Sequence, residues 1–244
     1  MKARPIIVPS GSFDRTAAVA IYNAMADAYA ASAERIRRRG VRQLESFGVG
    51  LPGDPAMDAV YDRLAALTNE DHCYPWYAVH PWLTEERWVS REHPESTFGR
   101  VFDRLVRPTA LDHRNIRRIQ VGSGPPDAVA AWYAAGLQPL DVLVLVLGAA
   151  GQIAGLYPGS PALRERTKAA VVTAPSGTNP CITITPPVIA EATRVIVLAR
   201  GAAVSLHALN ALRGNTSIEQ TPARLARSAT WVLDEPAAMM LGDP

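Results

Sequence analysis

The sequence is poor in lysine and in cysteine, and it contains no long hydrophobic segment. Only Lys2 and Lys168 are lysines, so arginine supplies nearly all of the 25 basic side chains. The sequence also contains 23 aspartate and glutamate residues. A formal net charge of +2 does not favour a protein that works on nucleic acid or on an acidic membrane surface. The lysine shortage also leaves few candidates for any reaction that needs a lysine amine.

Three absences concern the cellular compartment. Cys73 and Cys181 are too few for a disulfide framework, so we expect a reducing environment. The longest apolar runs, such as residues 142–150, are too short to cross a bilayer. Residues 1–5 lack the apolar core of a signal peptide. We therefore expect a cytoplasmic protein.

Short β-rich runs alternate with longer helical patterns along the 244 residues. Apolar residues recur at three- and four-residue spacing within residues 15–39, which predicts a helix that Gly40 ends. Residues 140–148 (LDVLVLVLG) contain an unbroken run of valine and leucine, which is typical of a central parallel strand. Further helices are predicted through residues 57–64 and 127–136. Further strands are predicted at residues 4–9, 44–50, 76–83, 116–121, 169–174, 181–185, 194–199 and 230–233.

This alternation predicts an α/β fold, a three-layer sandwich with a mostly parallel, Rossmann-like central sheet and helices on both faces. No internal repeat or long linker interrupts the sequence, so residues 1–244 are expected to form one domain. Ligands of such sheets bind beyond the carboxyl ends of the strands. The loops after Gly50, Leu83 and Leu147 are therefore the predicted location of a functional site.

The loop after the predicted central strand is rich in glycine, since residues 148–161 are GAAGQIAGLYPGSP. A strand that runs into such a turn can present backbone amides to an anion, but an ordinary tight connection has the same pattern. The end of the segment, AGLYPGSP, resembles the signature GxGxDGHTASLFPGSP of the 6-phosphogluconolactonase and glucosamine-6-phosphate deaminase superfamily.

Other segments resemble the same superfamily in the same order. Residues 85–89 (EERWV) resemble its DERWV motif, and residues 181–185 (CITIT) resemble RITLT. Residues 231–238 (WVLDEPAA) resemble the closing WxxDxxAA pattern. The similarity extends from about Leu44 to the end of the chain. It implies the superfamily's α/β fold and an enzyme that acts on a sugar-derived small molecule.

The sequence departs from this pattern at the residues to which the superfamily assigns its chemistry. Gln152 takes the position of the motif histidine, which is thought to activate water, and Ala150 takes that of the motif aspartate. Cys181 stands in place of an arginine, and Val204 lies near the position of a lysine. Asp54 adds a negative charge that repels phosphate. The resemblance therefore implies a weakened phosphate site.

The residues predicted to be catalytic are Glu85, Glu86 and Gln152. A carboxylate that is desolvated beside Arg87 can serve as an acid or a base, or it can form a structural ion pair. The structural role is the favoured interpretation for Glu86. Gln152 is interpreted as a hydrogen-bonding ligand or as a neutral remnant. The residues predicted to bind substrate are Gly50, Gly53, Asp54, Arg87, Gly151 and Thr183.

The five histidines are scattered, and no pair has the spacing of a metal site, so neither a metal ion nor another cofactor is expected. His80 either points toward the predicted site or is an ordinary strand histidine. The expected partner is a small-molecule substrate, with no nucleic acid and no membrane, and a homo-oligomer is compatible with the sequence.

The preferred hypothesis is a divergent 6-phosphogluconolactonase-like enzyme that applies acid–base chemistry to a sugar-derived or lactone-like metabolite, in specialised metabolism. The first alternative is a non-catalytic descendant that binds a small molecule or a partner protein. The second is an orthodox 6-phosphogluconolactonase or sugar-phosphate isomerase that uses substitute residues. Carboxylates that line the pocket favour an enzyme over a binding protein.

Overall fold

A computed structural model describes residues 5–40, 46–174 and 178–242, and a six-stranded parallel sheet forms the centre of the fold. The described strands are β1 (Ile6–Val8), β2 (Phe47–Leu51), β3 (Val79–Leu83), β4 (Glu85–Arg87), β5 (Val142–Val146), β6 (Ala170–Thr173), β7 (Cys181–Ile184), β8 (Arg194–Ala199) and β9 (Thr230–Asp234). The order across the central sheet is β1–β9–β8–β5–β2–β3, and every neighbouring pair is parallel.

Helices flank this sheet. The described α-helices are α1 (Phe13–Arg39), α2 (Asp58–Glu70), α3 (Thr97–Val101), α4 (Pro126–Gly136), α5 (Pro186–Glu191), α6 (Ser205–Leu212) and α7 (Glu235–Ala238). The longest, α1, packs against α2 and against four strands of the central sheet. The predicted α/β fold with a mostly parallel central sheet is confirmed. None of the helices in the described ranges combines the length and the hydropathy that a membrane span needs.

The strand β5 forms the centre of the core. All five of its residues are buried, as its run of valine and leucine predicts. Each fully buried aliphatic side chain of this size contributes about 1.5–3 kcal/mol to folding. The helix α1 ends where the sequence predicts, because Gly40 adopts a left-handed φ of 64° and donates its N–H to the Ile36 and Arg37 carbonyls.

A second, smaller sheet was not predicted. In it β4 and β6 pair antiparallel with β7 on either side. The strands at residues 170–173 and 181–184 match predicted strands, but residues 85–87 were expected to lie in a loop. Three charged residues carry no readable periodicity, and their partners are distant in sequence, so the pairing of Glu86 with Ile182 has no local signal.

Two other predicted elements differ from the structure. The strand predicted at residues 116–121 is reduced to one isolated bridge between Arg117 and Trp82. The strand predicted at residues 76–83 begins only at Val79, because the Ala78 N–H donates to the Pro75 carbonyl (3.0 Å) and closes a turn. The predicted strand starts at residues 4 and 44 lie outside the described residues.

Asp234 connects the carboxyl ends of three neighbouring strands. Its Oδ1 accepts hydrogen bonds from the Gly201 N–H (2.8 Å), after β8, and from the Ala237 N–H (2.9 Å), in the first turn of α7. Its Oδ2 accepts a bond from the Ser10 hydroxyl (3.1 Å), after β1. Asp234 is almost fully buried, so its two oxygens depend on these three donors for hydrogen bonds.

We expect Asp234→Ala to lower the free energy of unfolding by about 2–4 kcal/mol, because three donors lose a buried acceptor. Urea unfolding followed by circular dichroism measures this change. Ser10→Ala is the matched control, since it removes one of the three bonds and should cost about 1 kcal/mol. Equal urea midpoints for Asp234→Ala and the wild type would contradict this role.

Candidate active site

A crevice is expected between β2 and β5, where the strand order reverses. From β2 the chain proceeds to β3 on one side, whereas β8 and β9 follow β5 on the other side. Loops diverge at such a switch point, and ligands bind there beyond the carboxyl ends of the strands. The loop that begins at Pro52 and the turn that begins at Gly148 therefore lie on opposite sides of the crevice.

Two buried tyrosines fix the strand ends on the β2 side of this crevice. The Tyr61 hydroxyl, from α2, donates to the Pro52 carbonyl (2.7 Å). The Tyr133 hydroxyl, from α4, donates to the Leu83 carbonyl (2.7 Å). Both side chains are almost fully buried, so helices on the sheet faces hold the backbone from which the site residues project.

Glu85 is a partly exposed carboxyl group on this side. One oxygen accepts a hydrogen bond from the Gly53 N–H (2.8 Å), and the other accepts a bond from the Thr84 hydroxyl. Burial raises the pKa of Glu85 and nearby Asp54 adds to the rise, although the bonds from Thr84 and Gly53 oppose it. A carboxyl group with a raised pKa, on a partly exposed residue, is a candidate for proton exchange with a substrate.

Gly53 is required for this arrangement because its backbone passes close to α3. A Cβ atom at residue 53 would lie 2.1 Å from the Thr97 Oγ1 atom and 2.7 Å from the Thr97 Cα atom. No larger residue fits without moving the backbone of α3. The missing side chain thus lets the loop after β2 present its N–H to Glu85. Asp54 accepts the Ala56 N–H (2.8 Å) and so caps the next turn.

Glu86 has a different environment because side chains alternate across a strand. It is 2% exposed, and its two oxygens accept the N–H groups of Thr97 (2.8 Å) and Phe98 (2.7 Å) in the first turn of α3. Burial raises the pKa of Glu86 to about 7, against the lowering effect of these two bonds. The geometry supports the structural interpretation of Glu86, because this residue is almost fully buried. Glu85, whose oxygens also accept hydrogen bonds, is partly exposed.

Arg87, the last residue of β4, links two loops through its guanidinium group. Its Nη2 atom donates to the Tyr157 hydroxyl (2.7 Å), in the glycine-rich segment. Its Nη1 atom donates to the Thr178 hydroxyl (3.3 Å) and to the Asn179 carbonyl (3.4 Å). The guanidinium is partly exposed and pairs in the ladder with Cys181, the position at which the superfamily has an arginine.

The glycine-rich turn after β5 is closed by its own hydrogen bonds. The N–H groups of Gly148 and Ala150 donate to the main-chain carbonyl (2.9 Å) and the side-chain oxygen (3.0 Å) of Gln152. The Gly151 N–H donates to the Gly148 carbonyl (2.9 Å). These three amides are therefore not available to an anion, and the amide oxygen of Gln152 is occupied within the turn.

An imidazole that the sequence analysis did not select lies against this turn. His207 is in the first turn of α6, and a Cβ atom at Gly151 would be 2.6 Å from its Nδ1 atom. The sequence signal was its position one helical turn after Val204, near which the superfamily has a lysine. Histidine is the side chain that most often serves as a general acid or base, so His207 is a further candidate residue beside the turn after β5.

The other histidines lie elsewhere. His80 lines a cavity with Gly48 and Asp141, near the amino ends of β2 and β5, so it is an ordinary strand histidine and does not point toward the crevice. His72, His93 and His113 are exposed. Within the described residues, no group of three or more His, Cys, Asp or Glu side chains is placed to hold a metal ion.

Three residues that the sequence analysis names, two of them as substrate-binding residues, are buried away from solvent. Thr183 is fully buried, and its hydroxyl accepts the Gly155 N–H (2.9 Å) and donates to the Ile184 carbonyl (3.0 Å). Gly50 lies buried inside β2. Burial raises the pKa of the Cys181 thiol to about 12, which makes it a poor nucleophile. The structure thus groups Gly53, Asp54 and Glu85 after β2 and β3, and it groups Gly151, Gln152 and His207 at the turn after β5.

The parallel sheet defines an α/β protein, a class in which ligands bind beyond the carboxyl ends of the strands. The family model of glucosamine-6-phosphate isomerases/6-phosphogluconolactonase matches residues 20–233. The chain belongs to this family.

Individual relatives agree with this assignment. The chain is 29% identical over 175 residues to the human GDH/6PGL endoplasmic bifunctional protein, and the match covers 67% of this chain and 22% of that protein. The chain thus spans about a fifth of that relative's length. It is 27% identical over 248 residues to the 6-phosphogluconolactonase of Rattus norvegicus, covering 93% and 94% of the two chains. The 6-phosphogluconolactonase structure from Trypanosoma cruzi has a TM-score of 0.75 at 22% identity, with 100% and 99% coverage, and shares the fold.

The raised pKa of Glu86 predicts that stability depends on pH. The folded protein binds the Glu86 proton more tightly than the unfolded chain does, with a pKa of about 7 against 4.5. The contribution of this group to the free energy of unfolding is therefore fully present below pH 4.5 and is lost as the pH rises toward 7. The full difference corresponds to about 3 kcal/mol.

Unfolding temperatures of the wild type and Glu86→Gln, measured from about pH 4 to about pH 8, test this dependence. The decline toward neutral pH should be smaller in Glu86→Gln than in the wild type. Glu92→Gln, at an exposed position, is the control and should keep the wild-type slope. Parallel curves for Glu86→Gln and the wild type would show that Glu86 does not titrate in this range.

Proposed function

We propose that the protein hydrolyses a sugar-derived lactone by acid–base chemistry in the crevice between β2 and β5. The observation that carries this proposal is the Glu85 carboxyl group, which is partly exposed, has a raised pKa and is held by Gly53 and Thr84. Membership of the family supports an enzyme of this class, since relatives of the chain are 6-phosphogluconolactonases.

In the proposed reaction, Glu85 takes a proton from a water molecule whose oxygen forms a bond to the lactone carbonyl carbon. The bond between this carbon and the ring oxygen then breaks. His207, on the other side of the crevice, gives a proton to the departing ring oxygen. Solvent then removes the proton from Glu85 and returns one to His207. Two groups on opposite sides can in this way divide the roles of base and acid.

The charges around the crevice support a substrate that does not need a phosphate. Arg87 is the cation that the resemblance places at the site, and Tyr157, Thr178 and Asn179 already accept its hydrogen bonds. Asp54 lies beside Glu85 and adds a second negative charge to the β2 side. We therefore expect glucono-δ-lactone to be hydrolysed at least as efficiently as 6-phosphogluconolactone, which departs from the substrate that the names of the relatives indicate.

We expect Glu85→Gln to lower kcat/KM for lactone hydrolysis by about 10²–10⁴-fold, because glutamine keeps the shape of the side chain but cannot take a proton. A pH-stat assay with glucono-δ-lactone, corrected for spontaneous opening, measures the change. Glu92→Gln removes the same charge from an exposed position and should keep the wild-type rate. Wild-type turnover by Glu85→Gln would exclude Glu85 as the base.

His207→Gln should lower kcat by about 10²-fold and leave KM close to the wild-type value, because glutamine keeps a hydrogen-bonding side chain but cannot give up a proton. Steady-state kinetics with glucono-δ-lactone measures both constants. A changed KM with an unchanged kcat would show that His207 only packs against Gly151.

A second candidate function is binding without turnover. The observation that favours it is the closed turn after β5, in which Gln152 replaces the motif histidine and its amide oxygen is engaged by Ala150. Calorimetric titration with gluconate and 6-phosphogluconate tests this candidate. Binding of either acid, together with no acceleration of lactone opening above the spontaneous rate, would favour the binding protein over the enzyme.

A further inference from the structure

A separate cavity of about 1210 Å³ lies near the amino ends of β2 and β5 and beside the edge strand β3. The proposed lactone site lies beyond the carboxyl ends of the strands. The lining of the cavity includes the first residues of β2, Phe47 and Gly48, and Asp141, which precedes β5. The end of α1, the end of α4 and residues 116–118 form its other walls. Binding sites for small organic ligands typically occupy about 300–1,000 Å³, so the cavity is large enough for one.

The described lining of this cavity is strongly basic. It contains four arginines, Arg35, Arg39, Arg117 and Arg118, and one carboxylate, Asp141. Asp141 is already used, since Oδ1 accepts a bond from Arg35 (3.2 Å) and Oδ2 accepts the Gly48 N–H (3.0 Å). Arg39 and Arg117 have no acidic partner within the described residues. Positive charge in a concave surface attracts anions.

The arginines of the cavity are not explained by helix termini alone. Arg35 and Arg39 lie near the end of α1, where positive charge compensates the helix dipole. Arg117 belongs to no helix. Its backbone N–H donates to the Pro81 carbonyl (2.8 Å), and the bridge to Trp82 fixes it beside the edge strand β3. The fold therefore positions Arg117 at the cavity independently of any helix end.

An exposed aromatic side chain completes the wall. Trp132, on α4, is 60% exposed and lines the cavity, whereas Trp82 lines it but is only 6% exposed. Gln120 and Gln138 are also on the lining. A large exposed indole that lines the same cavity as four guanidinium groups offers a stacking surface in a site that attracts anions.

We propose that this cavity binds a nucleotide, whose phosphates contact Arg39 and Arg117 and whose base stacks on Trp132. Arginine suits phosphate because its fixed fork of donors matches two phosphate oxygens. The amides of Gln120 and Gln138 provide donors and acceptors for the edge of a base. This site is independent of the proposed lactone hydrolysis, because the cavity lies near the amino ends of the strands and the crevice lies beyond their carboxyl ends.

Calorimetric titration of the full chain with ATP, tripolyphosphate and adenosine tests the proposal. ATP should bind more tightly than tripolyphosphate, which lacks the base, and more tightly than adenosine, which lacks the phosphates. Arg117→Gln and Trp132→Gln should each weaken ATP binding by about tenfold or more. Both positions are exposed, so the variants should keep the wild-type unfolding temperature and the wild-type rate of lactone hydrolysis. Arg63→Gln, on the exposed side of α2, is the matched control and should bind ATP like the wild type.

Three outcomes would overturn the proposal. The first is no binding of ATP at concentrations up to about 1 mM. The second is equal affinity for ATP and tripolyphosphate together with unchanged ATP binding by Trp132→Gln, which would describe a general anion site. The third is equal weakening by Arg63→Gln and Arg117→Gln, which would place the binding outside the cavity.

Discussion

The burial of β5 on both faces is the constraint on which the rest of the structure depends. Its side chains are buried on both faces, so helices must cover the sheet on each side. Its backbone N–H and C=O groups form hydrogen bonds with the neighbouring strands β2 and β8. Polar chemistry is then excluded from the middle of the sheet. Functional groups collect at the strand ends, where the backbone leaves the core and loops meet helices.

The elements that could be predicted from the sequence are those with a local cause. The periodicity of α1 and the glycine that ends it lie within one segment, and so does the apolar run of β5. The small antiparallel sheet has no such cause, because β4 pairs with a strand almost a hundred residues later. The strand expected at residues 116–121 does not form, although its local sequence favours one. Arg117 makes only one bridge to the edge of the sheet.

In the candidate site, too, some features follow from the local sequence and others depend on contacts between distant residues. Glu85 and Glu86 are adjacent and chemically identical, and composition alone cannot assign them different roles. Alternation along β4 separates them, because it leaves Glu85 partly exposed beside Gly53 and places both oxygens of Glu86 against the start of α3. The position of His207 one helical turn after Val204 was a sequence signal, but its contact with Gly151 could not be predicted, because that contact depends on β8 lying next to β5.

Two departures from the superfamily pattern are physically connected through Arg87. Cys181 is opposite Arg87 in the ladder between β4 and β7, so an arginine at residue 181 would place a second guanidinium beside the first. Without that second charge, Arg87 donates to the hydroxyl of Tyr157, where the signature has a phenylalanine that cannot accept a hydrogen bond. With a cysteine at residue 181 and a tyrosine at residue 157, Arg87 has an internal hydrogen-bond partner and no second arginine opposite it. This arrangement is the physical reason for proposing an uncharged lactone as the substrate.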